Sequence, residues 1–165
     1  MNIGILTVSD RGAKGEYKDR SGPIIAEIIG DATDWQISHR AIVPDEIEII
    51  ANTLSQWCDE NVQLILTTGG TGFSPRDITP EATHQVIERE APGIAEGLRS
   101  ESLKITRHAM LSRGIAGIRS QTLIINLPGS PKAVRENIDV LLPILPHALE
   151  LLNNNPDSEN SHRSV

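Results

Sequence analysis

The stretch Leu66 to Thr83, LTTGGTGFSPRDITPEAT, constrains this chain more than any other. A largely apolar run from Val62 to Leu66 passes through Thr67 and Thr68 into the turn Gly69, Gly70, Thr71, Gly72. Glycine admits positive φ and lets backbone N–H groups approach a ligand closely, which is how main chain alone builds a nest for an anion. After Phe73, Ser74 and Pro75 come the charged pair Arg76 and Asp77, then Thr79, Pro80 and Glu81. That last triplet reads as an N-cap, a proline at the first helical position and an early acid. A strand that feeds a glycine turn shortly before a helix is where an α/β sheet binds phosphate. The spacing is neither G-x-x-x-x-G-K-[ST], since no lysine follows, nor G-x-G-x-x-G.

The remaining chain alternates strands and helices around this point. Ile3 to Val8 is a short apolar run suited to a central parallel strand, followed by a polar loop from Ser9 and Asp10 to Ser21 and Gly22 and a helix over Ile24 to Ile29. Trp35 to Val43 reads as a second strand ending at Pro44, Asp45 and Glu46. The next helix shows Ile47, Ile50, Ala51, Leu54, Trp57 and Cys58 at helical spacing, with Asp45 placed to cap it. Val62 to Thr67 is the third strand. A helix starts at Thr79, and beyond Pro92 and Gly93 a further helical segment runs towards Arg107 and His108. Gly114 to Arg119 and Thr122 to Leu127 flank Ser120 and Gln121 as a hairpin. It adds an antiparallel strand at the edge and leads into a second turn, Asn126, Leu127, Pro128, Gly129, Ser130, at a helix start. Ala133 to Leu142 is amphipathic, and Pro143 and Pro146 interrupt or restart the helix before Leu149 to Leu152. The pattern predicts one three-layer α/β domain over residues 1–152, its mostly parallel sheet flanked by helices, and a disordered polar tail over 153–165.

Composition narrows the partners. The net charge of −7 argues against broad nucleic-acid or anionic-membrane binding, so a phosphate must be held by local backbone dipoles and a few arginines. Cys58 is the one cysteine, read as core filler, which suits a reducing compartment. The first residues enter a strand without a basic leader, and no run approaches a membrane span, so a soluble cytoplasmic protein is expected. The five histidines lack metal-ligand spacing, and Ser74 lies in Gly72-Phe73-Ser74-Pro75-Arg76 rather than in a nucleophile elbow. What remains is phosphate chemistry with carboxylates. On the residues alone capping is the leading account of Asp45; the alternative is that Asp45 and Asp77, on loops after neighbouring strands, hold a magnesium ion and the reacting phosphates.

The glycine stretch, together with SDRGAKGEYKDRSGP near the start, IVPDE at Ile42 to Glu46 and LSRGIAGIRSQTLIINLPGSPKAV at Leu111 to Val134, closely resembles the molybdopterin adenylyltransferases. These are the MogA/MoaB-like proteins that include the G domain of gephyrin, and the segments follow the family's order. The resemblance implies a Rossmann-like molybdopterin-binding fold and transfer of AMP from magnesium-ATP to the terminal phosphate of molybdopterin. It implies that Asp45 and Asp77 serve turnover and metal, and that Gly69, Gly70, Thr71, Gly72, Asn126, Pro128, Gly129 and Ser130 contact nucleotide and phosphate. It puts Ser9, Asp10, Ser112 and Arg113 at the pterin end. With aromatic residues at 2% of the chain, pterin recognition is expected to rest on polar and backbone contacts. A homotrimer and transient contact with a MoeA-like molybdate-insertion protein are implied as well. Two alternatives share the pattern: a MoaB-like or CinA-like relative with another nucleotide substrate, and a scaffold module that binds molybdopterin without turnover. DRSGP and NLPGSPKAV side with the MogA and gephyrin branch, and intact Asp45 and Asp77 speak against a degenerate site.

Overall fold

The computed structural model describes residues 1–153; the expected polar tail lies, but for Asn153, outside the described residues. In chain order the elements are β1 (Asn2–Val8), α1 (Asp10–Ala13), α2 (Ser21–Ala32), β2 (Gln36–Val43), α3 (Ile47–Asp59), β3 (Leu64–Thr68) and α4 (Thr79–His84). They continue with β4 (Arg89–Glu90), α5 (Pro92–Leu103), a 3₁₀ turn (Arg107–Leu111), β5 (Ala116–Arg119), β6 (Thr122–Leu127), α6 (Pro131–Leu141) and α7 (Leu145–Leu152). The six strands form one sheet in the order β2-β1-β3-β6-β5-β4. Pairing is parallel from β2 through β6 and antiparallel from β6 to β5 and from β5 to β4.

The central strands are apolar on both faces because both faces are covered. Ile3, Ile5, Leu64, Leu66, Leu123 and Ile125 pack with Ile25 and Ile29 of α2, Leu98 of α5, Val134 and Ile138 of α6, and Leu145 and Leu149 of α7. Leu6, Val8, Ile65 and Ile124 face the opposite way, onto Ile50, Leu54 and Trp57 of α3 and Ala82 of α4. Cys58 is buried in that second layer. Each fully buried Leu or Ile contributes roughly 1.5–3 kcal/mol, so these two layers carry most of the stability.

Register positions the site. Val43 pairs with Val8, Thr7 with Thr68, and Thr68 with Leu127, so the loops after β2, β1, β3 and β6 leave the same sheet edge side by side. That edge is the carboxyl end of the parallel strands, where such sheets bind ligands.

Local details differ from the sequence expectations. Glu46, not Asp45, occupies the N-cap position of α3, without a side-chain cap bond, so the capping account of Asp45 fails. Thr79 begins α4 proper, with Ile78 at the N-cap position. At α2, Asp19 accepts from the N–H groups of Ser21 and Gly22, at 3.0 and 3.1 Å. The short strand β4, pairing outside the hairpin strand β5, has no counterpart in the sequence pattern. Among the described residues no helix is long and apolar enough to cross a membrane.

Candidate functional site

The loop after β3 takes a shape that only glycine tolerates at its start. Gly69 has φ +97° and Gly70 φ +63°, and a Cβ on either would run into the Val8 carbonyl oxygen or the Thr79 hydroxyl respectively. The loop's carbonyls are held from behind. Thr79 Oγ1 donates to the Gly69 carbonyl at 2.9 Å and Thr79 N–H to that of Gly70 at 3.0 Å. Arg113 donates its N–H to the Thr71 carbonyl at 2.9 Å and its Nε to that of Gly72 at 2.7 Å. The second turn packs directly on the first, since a Cβ at Gly129 would sit 3.2 Å from the Gly69 Cα.

Both candidate carboxylates lie against this loop. Asp45 Oδ1 sits 3.1 Å from where a Cβ would project at Gly70, and Asp77 Oδ2 sits 2.8 Å from the same point at Gly72. Asp77 Oδ2 also accepts from the Ser74 N–H at 3.0 Å, closing the turn that carries it. Asp45 Oδ2 accepts from the Asp10 N–H at 2.8 Å, while Asp10 Oδ1 accepts from the Asp45 N–H at 3.1 Å. Arg76 then donates Nε and Nη2 to Asp10, at 3.0 and 2.9 Å, and Nη2 to Glu46 at 2.8 Å, tying three strand-end loops together.

The electrostatics separate these acids. The Arg76 hydrogen bond holds the Asp10 carboxyl below its ordinary range. Burial pushes the Asp45 carboxyl above its own, and the neighbouring charges of Asp10 and Asp77 push the same way, against the Asp10 N–H and Arg76. Asp45 is therefore a carboxylate short of positive charge, set beside the glycine loop.

Two cavities flank the loop. The larger, of about 500 Å³, is lined by Gly70, Thr71, Gly72, Asp77, Ser112, Asn126, Pro128, Gly129 and Ser130, with Leu98, Ala109 and Leu111 supplying apolar wall. The smaller, of about 210 Å³, is lined by Ser9, Arg11, Tyr17, Arg20, Thr68 and Gly69, and shares Gly129 with the first. The two turns meet Asp77 at the larger cavity, while Asp45 lines neither cavity and stands against Gly70 instead.

The proposed pterin set does not come together. Ser9 lines the smaller cavity and Ser112 the larger, while Asp10 and Arg113 line neither. Asp10 is engaged by Arg76 and by the Asp45 N–H, and Arg113 turns onto the Gly72 and Asp77 carbonyls and Glu81. Asn126 reaches the larger cavity's wall, yet its amide is spent inside the protein. Nδ2 donates to Thr67 Oγ1 and Thr83 Oγ1, both at 3.0 Å, and Oδ1 accepts from the Ile115 N–H at 3.3 Å. Sequence reasoning missed the bracing roles of Thr79, Glu81 and Thr83. Their one signal was position, in the helix that follows the glycine turn.

Two glycine turns and two carboxylates thus lie at the carboxyl edge of an open α/β sheet, where such sheets take their ligands. Residues 4–147 match the family described as "Probable molybdopterin binding domain", and the chain belongs to that family. It is 50% identical to gephyrin of Dictyostelium discoideum over 98% of its own length, spanning 24% of that protein. It is 45% identical to the molybdopterin adenylyltransferase of Helicobacter pylori strain J99, over 92% of this chain and 88% of that one. Among solved structures, the molybdopterin biosynthesis enzyme MoaB of Thermus thermophilus superposes with a TM-score of 0.88 at 49% identity, covering 94% of this chain and 98% of that one.

Proposed function

We propose that this protein is a molybdopterin adenylyltransferase, transferring AMP from ATP to the terminal phosphate of molybdopterin in molybdenum cofactor biosynthesis. The observation that carries the reading is the placement of Asp45 and Asp77 against Gly70 and Gly72 of one loop. Its support is family membership and the Helicobacter pylori relative of that name, matched along most of both chains.

In this reading a phosphate oxygen of molybdopterin attacks the α-phosphorus of ATP, the new P–O bond forms, and the bond to the β-phosphate breaks to release pyrophosphate. The nucleophile is already anionic, so no strong base is required. Gly69 to Gly72 and Pro128 to Ser130 hold phosphates and nucleotide. With the loop's carbonyls taken up by Thr79 and Arg113, and the Gly69 N–H by the Leu127 carbonyl, the N–H groups of Gly70 to Gly72 are the ones an anion meets. Asn126 acts indirectly, joining β6 to β3 and α4 beneath the site.

Magnesium binds through one or two carboxylates completed by phosphate oxygens and water. The under-compensated Asp45 and the neighbouring Asp77 fit that demand, and among the described residues no group of three or more His, Cys, Asp or Glu could hold a metal alone. When bound, magnesium neutralises phosphate charge and favours pyrophosphate as leaving group. Asp45 and Asp77 would hold the ion and, through it, orient the phosphates. A cytoplasmic trimer, with transient contact to a molybdate-insertion protein, completes the reading.

The test is a pair of isosteric substitutions. Asp45→Asn and Asp77→Asn are expected to lower turnover by about 100-fold or more while molybdopterin binding persists. Full turnover in both variants would remove the carboxylates from the mechanism.

A further inference from the structure

The turn that carries Asp77 is held on its outer side by Arg76, which donates to Asp10 and Glu46, and Ile78 just after it packs on the second core layer. Between these holds Phe73, Ser74, Pro75 and Arg76 are exposed, Phe73 at 68%. Three hydrogen bonds close it on itself: the Asp77 N–H to the Ser74 carbonyl at 2.9 Å, the Ser74 N–H to Asp77 Oδ2 at 3.0 Å and the Arg76 N–H to Ser74 Oγ at 3.4 Å. Such bonds shape the turn without placing it over the sheet.

The hold on its inner side comes from Arg113, on the segment between the 3₁₀ turn and β5. Its guanidinium reaches both ends of the exposed turn, donating Nε to the Gly72 carbonyl at 2.7 Å and Nη2 to the Asp77 carbonyl. Nη1 pairs with Glu81 Oε1 in the first turn of α4, and the Arg113 N–H holds the Thr71 carbonyl. Arginine is suited to this because its donors form a rigid planar fork whose charge persists at any working pH; lysine offers a point charge on a flexible stem. The Arg113 bond also draws the Glu81 carboxyl below its ordinary range, so Glu81 is ionised and keeps the fork oriented.

We infer that Arg113 is a positioning residue for Asp77: through the backbone at Gly72 and Asp77 it fixes where that carboxylate stands over the phosphate loop, and Glu81 in turn fixes Arg113. Arg113 touches neither cavity, so it acts through Asp77 and not on substrate. The inference rests on the proposed adenylyl transfer and deepens it, by making the magnesium and phosphate geometry depend on a residue outside the site. Displacing a carboxylate by about 1 Å in such a site costs on the order of 100-fold in rate. Outer partners of metal-holding groups typically matter about 10- to 100-fold, by the same logic.

The experiment is a double-mutant cycle on turnover with magnesium titrated. Arg113→Lys keeps the charge and loses the fork. It is expected to lower kcat by about 10- to 100-fold and to raise the magnesium concentration for half-maximal rate, with KM for molybdopterin nearly unchanged. In an Asp77→Asn background the same substitution is expected to cost less than about 3-fold, because the group it positions has been disabled. A merely structural role would give the same loss in both backgrounds and leave the magnesium midpoint in place, and that result overturns the inference. Glu81→Gln, which leaves Arg113 in place, is expected to shift the magnesium midpoint the same way by a smaller factor. If Arg113→Lys fails to fold, an unshifted midpoint in Glu81→Gln overturns the inference by itself. An inactive wild-type protein would instead overturn the reading of adenylyl transfer on which the inference stands.

Discussion

Asp10 and Asp45, on loops after neighbouring strands, exchange backbone for carboxylate: each accepts the other's N–H, at 3.1 and 2.8 Å. One bond in this pair fixes the carboxylate of Asp45, and the other fixes the backbone that carries it. Arg76 sits on the outer side of Asp10 and compensates its charge, while Asp45 is left exposed to the charges of Asp10 and Asp77. The pair therefore orients one acid by neutralising the other.

Asp10→Ala removes the acceptor for the Asp45 N–H and the partner of Arg76 together. Solvent screens this carboxylate, so the expected loss is a small drop in the denaturant midpoint, with turnover falling further than stability because the Asp45 backbone loses its anchor. An unchanged rate would show that the exchange positions nothing.

Gly69→Ala meets both an unfavourable φ and the Val8 carbonyl. A destabilisation larger than about 1 kcal/mol is expected by thermal unfolding, together with lost nucleotide binding, since the backbone must shift to admit the methyl group. Gly93→Ala is the control, because nothing lies within 4 Å of a Cβ there.

Asn126→Ala removes the donor to Thr67 Oγ1 and Thr83 Oγ1, the latter keeping its bond to the Thr79 carbonyl, and strands the Ile115 N–H. The expected cost is about 1–3 kcal/mol in urea unfolding. Because the role is that of a strut, nucleotide affinity in the folded fraction should fall less than it does on altering Gly69.

Two carboxylates give opposite pH signatures. Glu81, held low by Arg113, contributes stability present above the ordinary glutamate range near ~4.3 and lost as pH falls through its folded value. Asp45 is held high by burial, so its ionisation costs stability as pH rises through its folded value. At pH 7 Glu81→Gln should be destabilised and Asp45→Asn slightly stabilised, each by less than about 1 kcal/mol given their solvent exposure. Both differences should shrink towards about pH 3, below the ordinary carboxylate range. Thermal melts across that acid-to-neutral span without magnesium read this directly, and a stabilised Glu81→Gln would contradict it.

Much of the frame was legible because burial on both faces leaves a plain trace. β1, β3 and β6 are short apolar runs, and β6 spans the residues its pattern marks, Thr122–Leu127. β2, at the sheet edge, alternates in exposure and falls within the Trp35 to Val43 run read as a strand. The glycine turns announced themselves through residue types that few other positions require. What stayed hidden depends on tertiary partners. Arg89 and Glu90 form a strand only because β5 lies beside them. Arg113 stands in a segment that resembles a binding loop, and nothing local says that its side chain turns back onto the Gly72 and Asp77 carbonyls. Asp45 fits a helix cap by spacing, yet the Asp10 N–H claims its carboxylate. Spacing indicates which residues share an edge of the sheet, but not which of several polar neighbours each will choose.

The most direct measurement is pyrophosphate release from the purified protein with magnesium, ATP and molybdopterin, the pterin product identified by mass, and GTP and CTP run in parallel. The account predicts release that requires molybdopterin, is supported by ATP, and yields a pterin heavier by one adenylyl group. Absence of release while molybdopterin demonstrably binds would contradict it, leaving a molybdopterin-binding module. Release supported by GTP or CTP in place of ATP would contradict the assigned nucleotide.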